Sequence, residues 1–132
     1  MNTTLTAQEV ITVARCLTRF QSDITDYELA HFSELNPSQR STVGRALASL
    51  SATAGRLYAY SVQLIFADNA SQILKMQEAT RELGHFLRTV QKIQTVLEVV
   101  SSVAALADAI MSHDIDGITS GIDNIIGMVA KD

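Results

Sequence analysis

In 132 residues there is a single cysteine, Cys16, a single proline, Pro37, and no tryptophan. One cysteine excludes an intramolecular disulfide and a zinc site built on cysteine pairs, and it suits a reducing compartment. Six glycines and one proline are too few for a sandwich of short turn-linked strands, and aromatics make up only 5% of the chain. No run reaches eighteen uncharged apolar residues, so no ordinary membrane span is expected. Residues 1 to 4 lack the basic segment and apolar run of a secretory signal, which makes a cytoplasmic location the expectation. Catalytic motifs are missing as well. There is no Gly-x-Ser-x-Gly, no glycine-rich phosphate loop and no cysteine with a locally supporting histidine. Cys16 reads as a packing residue, and the chain as a non-enzyme without a cofactor.

What the sequence does contain is aliphatic and periodic. With 47% hydrophobic residues, the length suits one domain with a core of its own. From Met76, steps of three and four residues run through Ala79, Leu83, Phe86, Val90, Ile93, Leu97, Val100, Ala104, Ala107 and Met111 without meeting a polar side chain. Such a seam predicts a long helix packed on a partner helix in the manner of a coiled coil. The fold class is all-α: an antiparallel bundle of three long helices and a short C-terminal one, over about 7–35, 38–67, 70–112 and 114–130.

The boundaries follow from short-range signals. Thr6 and Glu9 have the spacing of a capping box. Val10, Val13, Leu17, Phe20, Ile24, Tyr27 and His31 then form a seam that reaches Leu35, with a bend expected at Ser22-Asp23, and Asn36-Pro37 stops it. A second seam runs through Val43, Leu47, Leu50, Ala54, Leu57, Ser61 and Leu64. Asp68-Asn69-Ala70-Ser71 marks the next boundary, where the seam changes phase. The third helix would extend roughly 63 Å against 43–45 Å for the first two, and so overhang them. In the overhang a second seam appears, Val96, Val99, Val103, Leu106 and Ile110. The last helix, with Ile115, Ile118, Ile122, Ile125 and Val129, fits that seam, and Gly117 and Gly121 allow close approach.

Two further patterns stand out. Gly44, Ala48, Ser51, Gly55 and Ala59 line one flank of the second helix, and glycine costs a helix about 1 kcal/mol relative to alanine. Close packing of another backbone on this flank is the expectation. Charge is also segregated. Residues 1–35 carry net −3, residues 36–97 net +4 and residues 98–132 net −5, and residues 38–67 contain no acidic side chain. A basic middle between acidic ends can help segments pack or subunits assemble. Its basic residues lack the clustering and aromatic interleaving of a nucleic-acid surface.

Two Glu-x-x-His pairs, Glu28 with His31 and Glu82 with His85, have the spacing found in di-metal carboxylate bundles. The second helix offers no acidic ligand, so completing such a site would take Glu9, Glu98 or a second subunit; surface or core-edge ion pairs are the preferred reading and no metal is expected. Ser112-His113-Asp114 reads as a short turn with Ser112 as the cap of the last helix; His113, Asp114 and Asp116, with Asp108 before them, could form a loose cation site, but acidic residues at a helix start, where the dipole favours negative charge, are the preferred reading.

These patterns point to a protein–protein interaction or assembly module. It is expected to associate with itself or another helical protein through the helix 3 and 4 hairpin, with Val103, Ala104, Leu106, Ala107, Ile110 and Met111 as the interface. One alternative is a membrane-active protein that inserts residues 96–130, at a cost from Glu98 and Asp108. The other is the di-metal bundle.

Overall fold

A computed structural model describes residues 3–59, 64–90 and 92–130. The described chain is all-α and packs helix on helix. Its elements are β1 (Thr3–Thr4), α1 (Ala7–Ala30), a 3₁₀ turn (Phe32–Glu34), α2 (Pro37–Ala59), β2 (Ile65–Phe66), α3 (Asn69–Thr89), α4 (Ile93–Met111) and α5 (Ile115–Val129). The two strands are one antiparallel clasp, Thr3 opposite Phe66 and Thr4 opposite Ile65.

Four of the five helices begin on a side chain that satisfies a free backbone N–H. Thr6 Oγ1 accepts from the Glu9 amide at 3.1 Å while Glu9 Oε1 accepts from the Thr6 amide at 2.8 Å. Asn36 and Gln39 make the same reciprocal pair at 2.8 Å each, with Pro37 in the first helical position where its missing N–H is harmless. Asp68 caps α3 and Asp114, in place of the expected Ser112, caps α5, accepting from Ser71 and Gly117, while the Ser112 hydroxyl donates back to the Asp108 carbonyl of α4. Among the described residues no side chain caps α4, which starts at Lys92.

The structure corrects the expected boundaries in three places. The first helix runs unbroken through Ser22-Asp23 but ends at Ala30. His31 then leaves helical geometry, and a 3₁₀ turn carries the chain to the buried Leu35. The second helix stops short of 67. Residues 60–63 lie outside the described residues, and beyond them Leu64 and Phe66 are buried while Ile65–Phe66 pairs as a strand. Alternate residues of an extended segment point the same way, so this geometry sends both side chains into the core. The Leu64 carbonyl also accepts from the Leu5 amide at 2.7 Å.

The third correction matters most. The expected helix over 70–112 is two helices, with Val90 and Lys92 both extended between them. No glycine or proline marks the break. An unbroken helix would carry Val96, Val99, Val103, Leu106 and Ile110 beyond its partners into water. By breaking, the chain turns α4 back into the fold, and all five side chains are buried.

The helices close a ring around one core in the order α1, α2, α4, α5, α3 and back to α1. Contacts fix several directions. Asn69 of α3 reaches Glu9 of α1, and Gly84 of α3 lies beside Asp23 of α1, so these two helices run parallel. Ser102 meets Met128, and Leu106 meets Gly121, so α4 and α5 run antiparallel. Phe20, Phe66, Phe86, Leu17, Ile24 and Leu50 are among the largest fully buried side chains. Thr53 is buried with them and donates to the Ala107 carbonyl at 3.4 Å, tying α2 to α4.

Candidate functional site

A groove of about 510 Å³ opens between the C-terminal halves of α1 and α3. Asp23, Asp26, Tyr27, Ala30 and His31 supply one wall, and Gly84, Leu87 and Arg88 the other. The four-residue spacing of Asp23 and Tyr27 places them on one face of α1, and His31, the residue just past its end, follows at the same interval. Tyr27 and His31 stack, with ring centroids 4.2 Å apart and planes inclined by 23°. His31 Nδ1 is 2.7 Å from Glu34 Oε2, which holds the imidazole at the rim.

Asp23 forms the floor. Its Oδ2 is buried and accepts no hydrogen bond, and Arg19 Nε stands 3.6 Å away. Burial raises the carboxyl's pKa above its usual value. Attraction from Arg19 and Arg88 opposes the shift, and repulsion from Asp26 adds to it. Burial likewise raises the Tyr27 phenol, with Glu34 adding. A Cβ at Gly84 would stand 3.1 Å from Asp23 Oδ2, so the glycine makes room for the carboxylate. This juxtaposition was not foreseen from sequence. Glycine at 84 inside an otherwise regular helix was the one available signal, and it named no partner.

The residues singled out from sequence are distributed elsewhere. Of the expected interface, Val103, Leu106, Ala107 and Ile110 are buried within the chain, covered by α2 and α5, and only Ala104 and Met111 are partly exposed. The expectation that this seam faces a partner rested on an unbroken third helix. Of the metal candidates, Glu28 is half-buried, His31 pairs with Glu34, and Glu82 and His85 are exposed. The two Glu-x-x-His pairs are not gathered, and among the described residues no three His, Cys, Asp or Glu side chains stand together as a ligand set. Cys16 is buried, which pushes its thiol up to about 11 and leaves it protonated near neutrality.

The small-residue flank of α2 is also not where close packing was expected. Gly44, Ala48, Ser51, Gly55 and Ala59 are all exposed, and a Cβ built on Gly44 or Gly55 meets no atom within 4 Å. Arg45 and Arg56 are exposed beside this flank, and Tyr58 is exposed at the end of the helix. On α5 the outer face carries Asp116, Ser120, Asp123 and Gly127, again exposed, with open space around Gly127. Asp123 makes one surface contact, with Lys75 Nζ at 3.4 Å.

Comparison with protein-family models, curated proteins and solved structures finds no match to this chain.

Proposed function

We propose that the chain is a non-catalytic assembly module that associates with copies of itself, the basic outer face of α2 meeting the acidic outer face of α5 on the next copy. The observation that carries this reading is the placement of the two faces. One has Arg45 and Arg56 and no acidic residue; the other has Asp116 and Asp123. Since α2 and α5 are not neighbours in the ring, complementarity between these faces is available only between molecules. Small residues on both faces let backbones approach, and Tyr58 beside Arg56 supplies the residue types that dominate interface energetics. Within each copy, the three-and-four spaced seams of α1, α2 and α3 are read as packing in a coiled-coil-like manner.

A contact between unlike faces is heterologous, so each copy retains a free face of each kind and growth continues unless the geometry closes. This gives a specific test by light scattering over a concentration series. The wild type is expected to exceed monomer mass. An Arg45→Glu/Arg56→Glu variant and an Asp116→Lys/Asp123→Lys variant should each be monomeric alone. An equimolar mixture of the two restores both contacts, the intact acidic face of the first meeting the intact basic face of the second and the glutamate-bearing face of the first meeting the lysine-bearing face of the second; the mixture should therefore regain assemblies larger than the monomer in which the two variants alternate. A wild type that stays monomeric at every concentration would overturn the reading.

A second reading has one observation in its favour. By length and composition Ile93–Met111 can cross a membrane, with Glu98 and Asp108 as its charged residues. On this reading α4 and α5 would leave the ring together and enter a bilayer. Flotation with neutral and with anionic vesicles tests it, and absence of binding to both would end it.

A further inference from the structure

We propose that the connection between α3 and α4 is a hinge through which two copies of the chain exchange their α4–α5 hairpins, α3 and α4 of each copy joining into one straight helix. The inference concerns the inside of the ring and stands apart from the outer faces of α2 and α5.

Three observations converge on this connection. The first is phase. Leu83, Phe86, Val90, Ile93, Leu97 and Val100 keep their three-and-four spacing across the break, so the seam of α3 runs on into that of α4 once the intervening residues are helical. Neither glycine nor proline stands between Thr89 and Ile93 to oppose a helix. The second is the way α4 starts. The other four helices each begin on a side-chain cap, and the α4–α5 turn is fixed by His113 in the left-handed region. Among the described residues no side chain caps α4, and the bond that opens it, from the Val96 amide to the Lys92 carbonyl, is 3.3 Å long. The amides of Ile93 and Gln94 have no acceptor within α4; in a continuous helix the carbonyls of Thr89 and Val90 accept from them. The third is exposure. Leu83, Phe86 and Val100 are buried, whereas Val90, Ile93 and Leu97, the stretch of seam at the break, are only half-buried.

The bend is a requirement of closing the ring with one chain, and a second copy removes that requirement. The α4–α5 hairpin is a unit of its own, held by Leu106 against Gly121 and by Ser102 against Met128. When α3 and α4 straighten, it leaves its own α1, α2 and α3 and takes the same place in the other copy's ring. The α2–α4 and α3–α5 packing is then regained between chains, so the cost of exchange is confined to the hinge. There, straightening adds helical hydrogen bonds. Because the exchange is reciprocal, it gives a closed two-fold dimer. The two straight helices pass near its axis, where Val90, Ile93 and Leu97 of each are placed to cover those of the other.

The test refolds isotope-labelled and unlabelled chains together from urea at high concentration, separates the products by size, dilutes them and follows mass and isotope-filtered NOEs. A dimer that survives dilution is expected, because return to the monomer requires the core to open, whereas contacts between outer faces dissociate. In this dimer, NOEs from Thr53 and Leu57 of α2 to Ala107 and Ile110 of α4 should run between chains, and those from Leu106 to Gly121 within a chain. Arg45→Glu/Arg56→Glu should leave the persistent dimer unchanged, so its failure and that of the assembly reading are told apart. Ile93→Pro suits the broken form, since Lys92 is already extended and position 93 is the first of α4, but it disrupts a continuous helix. This variant should fold and give no persistent dimer. Lys92→Asp, which can cap α4 by accepting from the Thr95 amide, should lower the dimer yield about five-fold, and it decides the matter if the proline variant does not fold. The proposal is overturned if no persistent dimer forms, if its α2–α4 NOEs lie within chains, or if the folded hinge variants dimerise as the wild type does.

Discussion

Gly121 of α5 lies directly against Leu106 of α4: a Cβ at position 121 would stand 3.2 Å from Leu106 Cδ1 and 3.4 Å from its Cα. The hairpin of α4 and α5 is closed around this contact. Gly44 on α2 is its opposite, a helical glycine with open space where a Cβ would go. The two should respond to substitution with opposite signs. Gly121→Val is expected to destabilise by about 1–3 kcal/mol through overpacking, and Gly44→Ala to stabilise by about 0.5–1 kcal/mol through helix propensity. Urea unfolding monitored by circular dichroism checks both.

Leu106 and Met111 are both apolar positions late in α4, yet they differ in surroundings. Leu106 is fully buried and Met111 is half-buried beside Arg56 and His113. Leu106→Asp places an unpaired charge in the core and is expected to cost about 4 kcal/mol or more, a large part of the stability of a small domain. Met111→Asp should cost about 1 kcal/mol and leave the fold intact. Thermal melts of the two variants give the comparison. A folded Leu106→Asp protein would show that α4 is not packed as described.

Asp23 predicts a dependence on pH. Because burial raises its folded pKa above the ordinary value of 3.8, the folded chain holds this proton more tightly than the unfolded chain does. Its contribution to stability is therefore greatest below about pH 3.8, falls as pH rises through the raised folded pKa, and is level above it. Asp23→Asn lacks this loss. The variant is expected to melt at a higher temperature than the wild type at pH 7, with the advantage disappearing as pH falls toward 3. Melts over that range test it, and a variant less stable at pH 7 would mean that Arg19 and Arg88 outweigh burial.

His113 stands between α4 and α5 with φ of 57°, in the left-handed region that disfavours side chains. The turn needs this conformation to seat the Asp114 amide on the Ala109 carbonyl at 2.9 Å. His113→Gly removes the steric penalty and adds unfolded-chain entropy, leaving a net gain expected at about 0.5–1 kcal/mol. Denaturant midpoints at constant slope would measure it.

The sequence by itself determined the helical class, the starts of α1, α2, α3 and α5, and the inward faces. Thr6 with Glu9, Asn36 with Pro37, Asp68 and Asp114 act on amides three residues away, and a seam such as Val10, Val13, Leu17, Phe20 and Ile24 repeats every turn. Signals of such short range are legible without knowledge of any distant segment. Only the tertiary structure decided the break at Val90 to Lys92, the extended Leu64 to Phe66, the burial of Leu106 and Ile110 inside the chain, and the exposure of Gly44 and Gly55. Each depends on which surfaces, far apart in the chain, cover one another. The meeting of Asp23 with Gly84 is of the same kind: an aspartate on one helix and a glycine on another carry no mark of pairing until parallel packing of α1 and α3 brings them to one groove. Apolar periodicity says that a face must be covered, while the covering partner is chosen by the total area the whole ring removes from water.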